Sequence, residues 1–92
     1  MDATKKKQKI DYFYLKALEL IASPYVNTKF HLRPGWSLGF EIDVDNDGYR
    51  YSISTCAYHN DEIVDAVDCE IIDAHEQLRS NISYMIDCVT RW

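Results

Sequence analysis

Three aspartates alternate with other residues in a segment, residues 43–48, whose composition could bind a hard cation such as calcium. The aspartates are Asp43, Asp45 and Asp47. In a twelve-residue calcium loop of this kind the last position is a bidentate glutamate, but here it is Ser54, and the eighth position is Arg50. Asp47 followed by Gly48 is also a strong signal for a β-hairpin turn. The sequence therefore predicts a turn at this segment and no calcium site.

A cysteine and a histidine, Cys56 and His59, have the spacing of half a zinc site. Structural zinc needs a second pair of ligands, and Cys69 and His75 do not form such a pair. With Cys88 the chain has three cysteines and no C-x-x-C motif, which is typical of proteins in a reducing compartment. We therefore predict no metal, no cofactor and a cytoplasmic location.

The sequence also lacks the motifs that usually mark an enzyme. We find no nucleophile elbow, no glycine-rich phosphate loop and no paired-histidine zinc motif. Acidic residues are abundant, but no two of them are distinguished as a general acid and a general base. The prediction is a protein without catalytic activity.

The most informative feature is a run of acidic residues between Glu41 and Glu76. This stretch of 36 residues contains eleven acids and one base, Arg50, which gives it a formal charge of −10. The same stretch is rich in isoleucine, valine and tyrosine, so it is expected to fold and not to remain a solvated tail. A field of this sign repels nucleic acid and attracts basic protein surfaces. The pattern indicates a protein-binding function.

Length and overall composition predict one small domain over residues 1–92, with a net charge of −5. A core of this size is modest, and dimerisation is a common source of additional stability. The first nine residues carry a net charge of +3 and are predicted to be a frayed, solvated start to a helix. No secretory signal or membrane-spanning stretch is recognisable, so no contact with a membrane is expected.

The first half of the chain predicts a helix, a strand and a hairpin. Residues 5–22 have apolar side chains at helical spacing, and residues 26–33 alternate as a strand. Residues 36–58 form a hairpin in which a two-residue turn at Asp47 and Gly48 sets the register. The predicted apolar pairs are Leu38 with Ala57, Phe40 with Thr55, Ile42 with Ile53, and Val44 with Tyr51. The predicted polar pairs are Glu41 with Ser54, Asp43 with Ser52, and Asp45 with Arg50.

The second half predicts one ambiguous segment and one helix. Residues 61–70 fit a helix with an apolar stripe, or an edge strand that tolerates one bulge and has Asp65 on its buried side, and we favour the helix. Residues 73–91 form a helix that begins with a capping box of Asp73 and Glu76. The predicted fold is α+β: an N-terminal helix, an antiparallel three- or four-stranded meander and a C-terminal helix. The predicted core comprises Phe13, Ala17, Ile21, Phe30, Leu38, Phe40, Ile42, Ile53, Leu78, Ile82 and Met85.

This order of elements is similar to that of the double-stranded-RNA-binding domain, but the charge is of the opposite sign. That family uses lysines at the start of its last helix, where this chain has residues 73–76, Asp-Ala-His-Glu. Direct binding of nucleic acid is therefore not expected. The size, the acidity, the hairpin segment 42–49 and the acidic run 61–76 resemble the small phage-encoded anti-CRISPR proteins. In some of these an acidic hairpin and helix block the groove that reads DNA.

The resemblance implies an inhibitor that binds the basic surface of a nucleic-acid-binding protein and imitates phosphates. The predicted contact residues form two acidic rows and two aromatic anchors: Glu41, Asp43, Asp45 and Asp47; Asp61, Glu62, Asp65 and Asp68; Tyr49 and Tyr58. A toxin-immunity protein would use a similar acidic surface. Another alternative is a homodimeric structural or regulatory module that associates through Tyr12, Leu15 and Trp92, and a further one is a metal-dependent domain that uses residues 43–47.

Overall fold

The computed structural model describes residues 3–23 and 29–91, and the predicted strand residues 26–28 and Trp92 lie outside this part of the chain. The fold is α+β as predicted: one helix precedes four consecutive strands and a second helix follows them, with a short 3-10 helix before the last helix. Their bounds are α1 Ala3–Ala22, β1 Lys29–Arg33, β2 Trp36–Val44, β3 Arg50–His59, β4 Glu62–Glu70 and α2 Ala74–Arg91, with the 3-10 helix at Ile71–Asp73. The basic segment predicted to fray is helical from Ala3 onward.

The four strands form one antiparallel sheet in the order β1-β2-β3-β4, and both helices pack on one face of it. The core lies between these two layers. From the sheet it takes Leu38, Phe40, Ile53, Ala57 and Cys69, and from the helices it takes Phe13, Ala17, Leu20, Leu78, Ile82, Met85, Ile86 and Val89. All eleven predicted core residues belong to this cluster or pack against it. The other face of the sheet has no helix among the described residues.

The prediction of a helix at residues 61–70 is wrong, because this segment forms the edge strand β4 along β3. The pairing satisfies the backbone groups that a helix here would have left exposed along β3. An extra residue shifts the register between Ala57 and Tyr58, so that Asp65 lies opposite Ala57 and Cys69 lies opposite Ile53. The bulge allows an edge strand to place one aspartate on the helix side of the sheet.

The β2–β3 turn also differs from the predicted two-residue loop. Gly48 N donates a hydrogen bond to Asp45 O, Asp45 N donates one to Tyr49 O, and Gly48 has a φ of 82°. These bonds define a three-residue loop at residues 46–48, with the left-handed glycine such loops require. Val44 consequently pairs with Arg50, so the predicted pairs of Val44 with Tyr51 and of Asp45 with Arg50 are wrong.

A bulge restores the predicted register further along the same hairpin. Between Asp43 and Val44 the pairing shifts by one residue, because Tyr51 is an additional residue on β3. Beyond it the pairs are those predicted from the alternation: Asp43 with Ser52, Ile42 with Ile53, Glu41 with Ser54, Phe40 with Thr55, and Leu38 with Ala57. The apolar residues therefore stay on the helix side, and the acids of β2 stay on the opposite side.

Candidate functional site: the open face of the sheet

Four carboxylates lie together on the sheet face opposite the helices, which we term the open face. They arise because alternate residues of a strand point to the same side and both β2 and β4 place acids at the outward positions. We call this set the acidic quartet: Glu41 and Asp43 on β2, and Asp68 and Glu70 on β4. Three of the four were predicted as contact residues, and Glu70 was not.

The registers of both strand pairs arrange the acidic quartet in two parallel rows across β3. Ser54 lies between Glu41 and Asp68 in one row, and Ser52 lies between Asp43 and Glu70 in the next. Neighbouring strands are about 4.8 Å apart, so the acids of one row are separated by roughly 10 Å. Residues two apart on a strand place the rows roughly 7 Å from each other. The result is a small rectangle of exposed carboxylates with serines at its centre.

Ser52 and Ser54 lie between the exposed acids and are less exposed than they are. Ser52 and Ser54 are only 8% and 9% exposed, whereas all four members of the acidic quartet are exposed. The Ser54 hydroxyl donates a hydrogen bond of 2.5 Å to Asp68 Oδ1. The quartet is therefore raised at both sides of a shallow polar channel along β3.

No member of the acidic quartet forms an ion pair within residues 3–23 and 29–91. The ion pairs of these residues lie elsewhere and join Lys6 to Asp87, Lys16 to Glu19, Lys29 to Asp61, and Arg79 to Asp11. Arg50, the base within the acidic stretch, extends to the helix side instead. Its Nη1 donates to Leu20 O at 3.2 Å, at the negative end of α1. The charge of the open face is therefore not neutralised by these ion pairs.

Tyr58 contacts one member of the acidic quartet, Glu41. Tyr58 is 3% exposed, its hydroxyl donates to Glu41 Oε1 at 3.2 Å, and Lys29 Nζ lies 4.4 Å from the ring centroid. Burial, with Cys56 and Glu41 nearby, raises the pKa of the Tyr58 phenol, so the hydroxyl keeps the proton that it donates. Tyr58 was predicted as an anchor for a partner, but its burial makes it a positioning residue for Glu41.

Cys56 lies beside Tyr58 on the same strand and is 1% exposed. Burial raises the pKa of the Cys56 thiol to about 11, and the nearby carboxylates of Glu41, Asp68 and Asp43 act in the same direction. Cys69 faces the opposite side of the sheet, because it pairs with Ile53. The two cysteines therefore cannot bind one metal ion together. The described residues contain no group of three potential metal ligands.

Asp45, Asp47 and Tyr49 lie in the β2–β3 turn, beyond the end of the acidic quartet. Asp45 Oδ1 accepts hydrogen bonds from the backbone N of Asp47 and of Tyr49, both at 2.9 Å. This carboxylate therefore stabilises its own turn, as expected for an aspartate at this position. Tyr49, at the end of the same turn, is 65% exposed.

The second predicted acidic row is not continuous in the structure, because its members follow a strand and not a helix. Asp61 lies in the β3–β4 turn with a φ of 69°, and its Oδ1 is 3.9 Å from Lys29 Nζ. Glu62 begins β4 at the same end of the sheet. Asp65 lies on the helix side, where Tyr84 donates to it at 3.5 Å. Of this row only Asp68 lies beside Glu41 and Asp43.

Comparison with known protein families finds no family that matches this chain, and neither curated proteins nor solved structures give a match. Among the described residues, neither helix combines the length and the apolar character that crossing a bilayer requires.

Proposed function

We propose that this chain is a non-enzymatic inhibitor that binds a basic, nucleic-acid-binding surface of another protein, in the manner of anti-CRISPR proteins that imitate DNA. The observation that carries the proposal is the acidic quartet, which forms no ion pair with the described residues. Exposed carboxylates on a rigid sheet are already positioned for a partner, so binding costs little ordering of the backbone. Lysines and arginines that normally contact phosphates would instead contact this face.

The charge distribution supports a role in steering and selectivity. Complementary charge raises association rates and excludes acidic partners, while desolvation limits the gain in affinity. Tyr49, exposed at the turn beside the acidic quartet, supplies an aromatic side chain of the kind that often carries binding energy. A toxin-immunity protein that blocks a basic nuclease would use the same surface, and the identity of the partner distinguishes the two roles.

Affinity capture of the tagged full chain from bacterial lysate, with identification by mass spectrometry, tests the proposal. We expect a nucleic-acid-binding protein that is retained at low salt, lost at high salt and displaced by added DNA. Recovery of the chain alone at both salt concentrations would contradict the inhibitor function. The same would hold if the retained partner were indifferent to DNA.

A homodimeric module is the second candidate, and two exposed apolar residues of α1 favour it. Tyr12 is 48% and Leu15 is 60% exposed, and both belong to the surface through which the dimer alternative would associate. Such a dimer would bury apolar surface and would be insensitive to salt. Sedimentation of the wild type and of Leu15→Ser at two salt concentrations separates this candidate from the first.

A further inference from the structure

A cleft between α1 and β1 combines an apolar base with basic side chains. Its volume is about 410 Å³. The residues that line it include the apolar Tyr12, Phe13 and Leu32 and the basic Lys5, Lys9 and His31. It is formed by the first half of α1 and the second half of β1, so it uses no member of the acidic quartet.

Aromatic packing holds the base of the cleft in a fixed shape. Tyr12 meets Phe13 edge-on with 5.4 Å between ring centroids, and it meets Phe30 edge-on at 5.9 Å. Phe13 and Phe30 are themselves 6.0 Å apart, and Phe13 is buried. Edge-to-face contacts of this kind fix ring orientation. The cleft therefore exists before any ligand binds.

The charges around the cleft have the opposite sign to the charge of the whole chain. The described residues that line it include three basic groups and no acid, although the chain has a net charge of −5. Two lysines of α1 that do not line the cleft form ion pairs: Lys6 Nζ is 2.7 Å from Asp87, and Lys16 is paired with Glu19. Lys9 has no ion pair among the described residues. A negative group would therefore meet attraction here and repulsion on the open face.

We propose that this cleft binds a small organic anion, in which one carboxylate contacts Lys9 at the rim and an aliphatic chain lies on Tyr12 and Leu32. The volume falls within the range of about 300–1,000 Å³ that is usual for small-molecule pockets. A few polar groups above an apolar base are also the usual composition of such pockets. This inference is independent of the proposed inhibitor function.

Titration of the ¹⁵N-labelled full chain with octanoate, followed by two-dimensional NMR, tests the cleft. Octylammonium and 1-octanol serve as probes of equal chain length with opposite charge and no charge. We expect saturable shifts at residues 5–13 and 31–32 with octanoate, weaker ones with octanol and none with octylammonium. Equal binding of octanoate and octylammonium, or octanoate shifts that do not saturate or lie elsewhere, would overturn the proposal.

Two matched variants distinguish binding in the cleft from nonspecific attraction to the positive charge of α1. Lys9→Gln removes a charge that lines the cleft, and we expect octanoate to bind about fivefold more weakly. Lys7→Gln removes the same charge from an exposed position on the same helix that does not line the cleft. Its affinity for octanoate should equal that of the wild type. If both variants weaken binding equally, no specific site exists in this cleft.

Discussion

At the scale of single residues, the placement of one arginine determines how much charge the open face keeps. Arg50 could have neutralised a neighbouring aspartate, as the predicted pairing with Asp45 implied. The three-residue loop instead places it opposite Val44, and its guanidinium reaches Leu20 O at the end of α1. One cation thus stabilises the helix end, and the acidic quartet keeps its charge.

Asp45 is expected to be a structural residue of the turn. Asp45→Ala removes the acceptor of two backbone hydrogen bonds, so we expect a loss of about 1 kcal/mol in the free energy of unfolding, measured with urea. Asp47→Ala is the control, because the Asp47 carboxylate accepts no hydrogen bond from the described residues. Equal losses in the two variants would show that the carboxylate of Asp45 does not hold the turn.

The buried thiol of Cys56 gives a prediction about alkaline pH. Burial raises its pKa from an ordinary value near 9.0 to about 11, so the unfolded chain releases this proton at a lower pH than the folded one. Cys56 therefore lowers the free energy of unfolding progressively as pH rises from about 9 to about 11. Unfolding measured at pH 8 and at pH 10.5 should show a smaller alkaline loss for Cys56→Ala than for wild type. An identical loss in both proteins would contradict the raised pKa of the Cys56 thiol.

At the scale of elements, the sequence predicts those parts of the fold in which the hydrophobic period is unambiguous. The alternation along residues 36–58 predicts three apolar pairs correctly, since a slip by one residue would place Leu38, Phe40 and Ile53 in water. The helical spacing in residues 5–22 and 73–91 likewise predicts α1 and α2.

The remaining features depend on contacts that a local pattern does not contain. Residues 61–70 carry apolar side chains at spacings that fit both a helix and a strand. The strand forms because it pairs with an edge of β3 that would otherwise be unpaired. As a strand, this segment has Asp65 on the helix side of the sheet and Glu70 next to Asp68 on the open face. The three-residue turn was not predicted because, without the additional residue Tyr51 on β3, it would pair Val44 with Arg50 and scramble both faces of the hairpin.

The β2–β3 loop depends on the left-handed conformation of Gly48. Nothing lies within 4 Å of a Cβ built at this position, so Gly48→Ala introduces conformational strain without a clash. We expect a loss of about 1–2 kcal/mol in the free energy of unfolding, measured with urea. Gly48→Asn should cost less, because asparagine adopts this conformation more readily. If asparagine costs as much as alanine, backbone conformation is not the cause.

At the scale of the whole molecule, charge is separated between two regions. The cleft of α1 and β1 gathers basic side chains, and the open face carries the acidic quartet. Carboxylates that lie roughly 7–10 Å apart without counterions repel one another. An arrangement that costs stability is common where a surface serves binding.

This repulsion predicts that neutralising the acidic quartet stabilises the protein. Glu41→Gln with Glu70→Gln should raise the free energy of unfolding at low salt by about 0.5 kcal/mol, and salt should reduce the gain. The control is Glu19→Gln with Glu76→Gln, which removes the same charge from α1 and α2; it should give no gain, because Glu19 is paired with Lys16 and Glu76 lies in the first turn of α2, where a carboxylate is favourable. A quartet variant that is less stable than wild type at low salt would contradict the repulsion.

The most direct test of the central claim compares these two double variants as immobilised proteins in capture from bacterial lysate. We predict that wild type and Glu19→Gln/Glu76→Gln retain the same nucleic-acid-binding protein, released by DNA, and that Glu41→Gln/Glu70→Gln retains much less of it. Equal retention by both variants would show that the open face is not the binding surface.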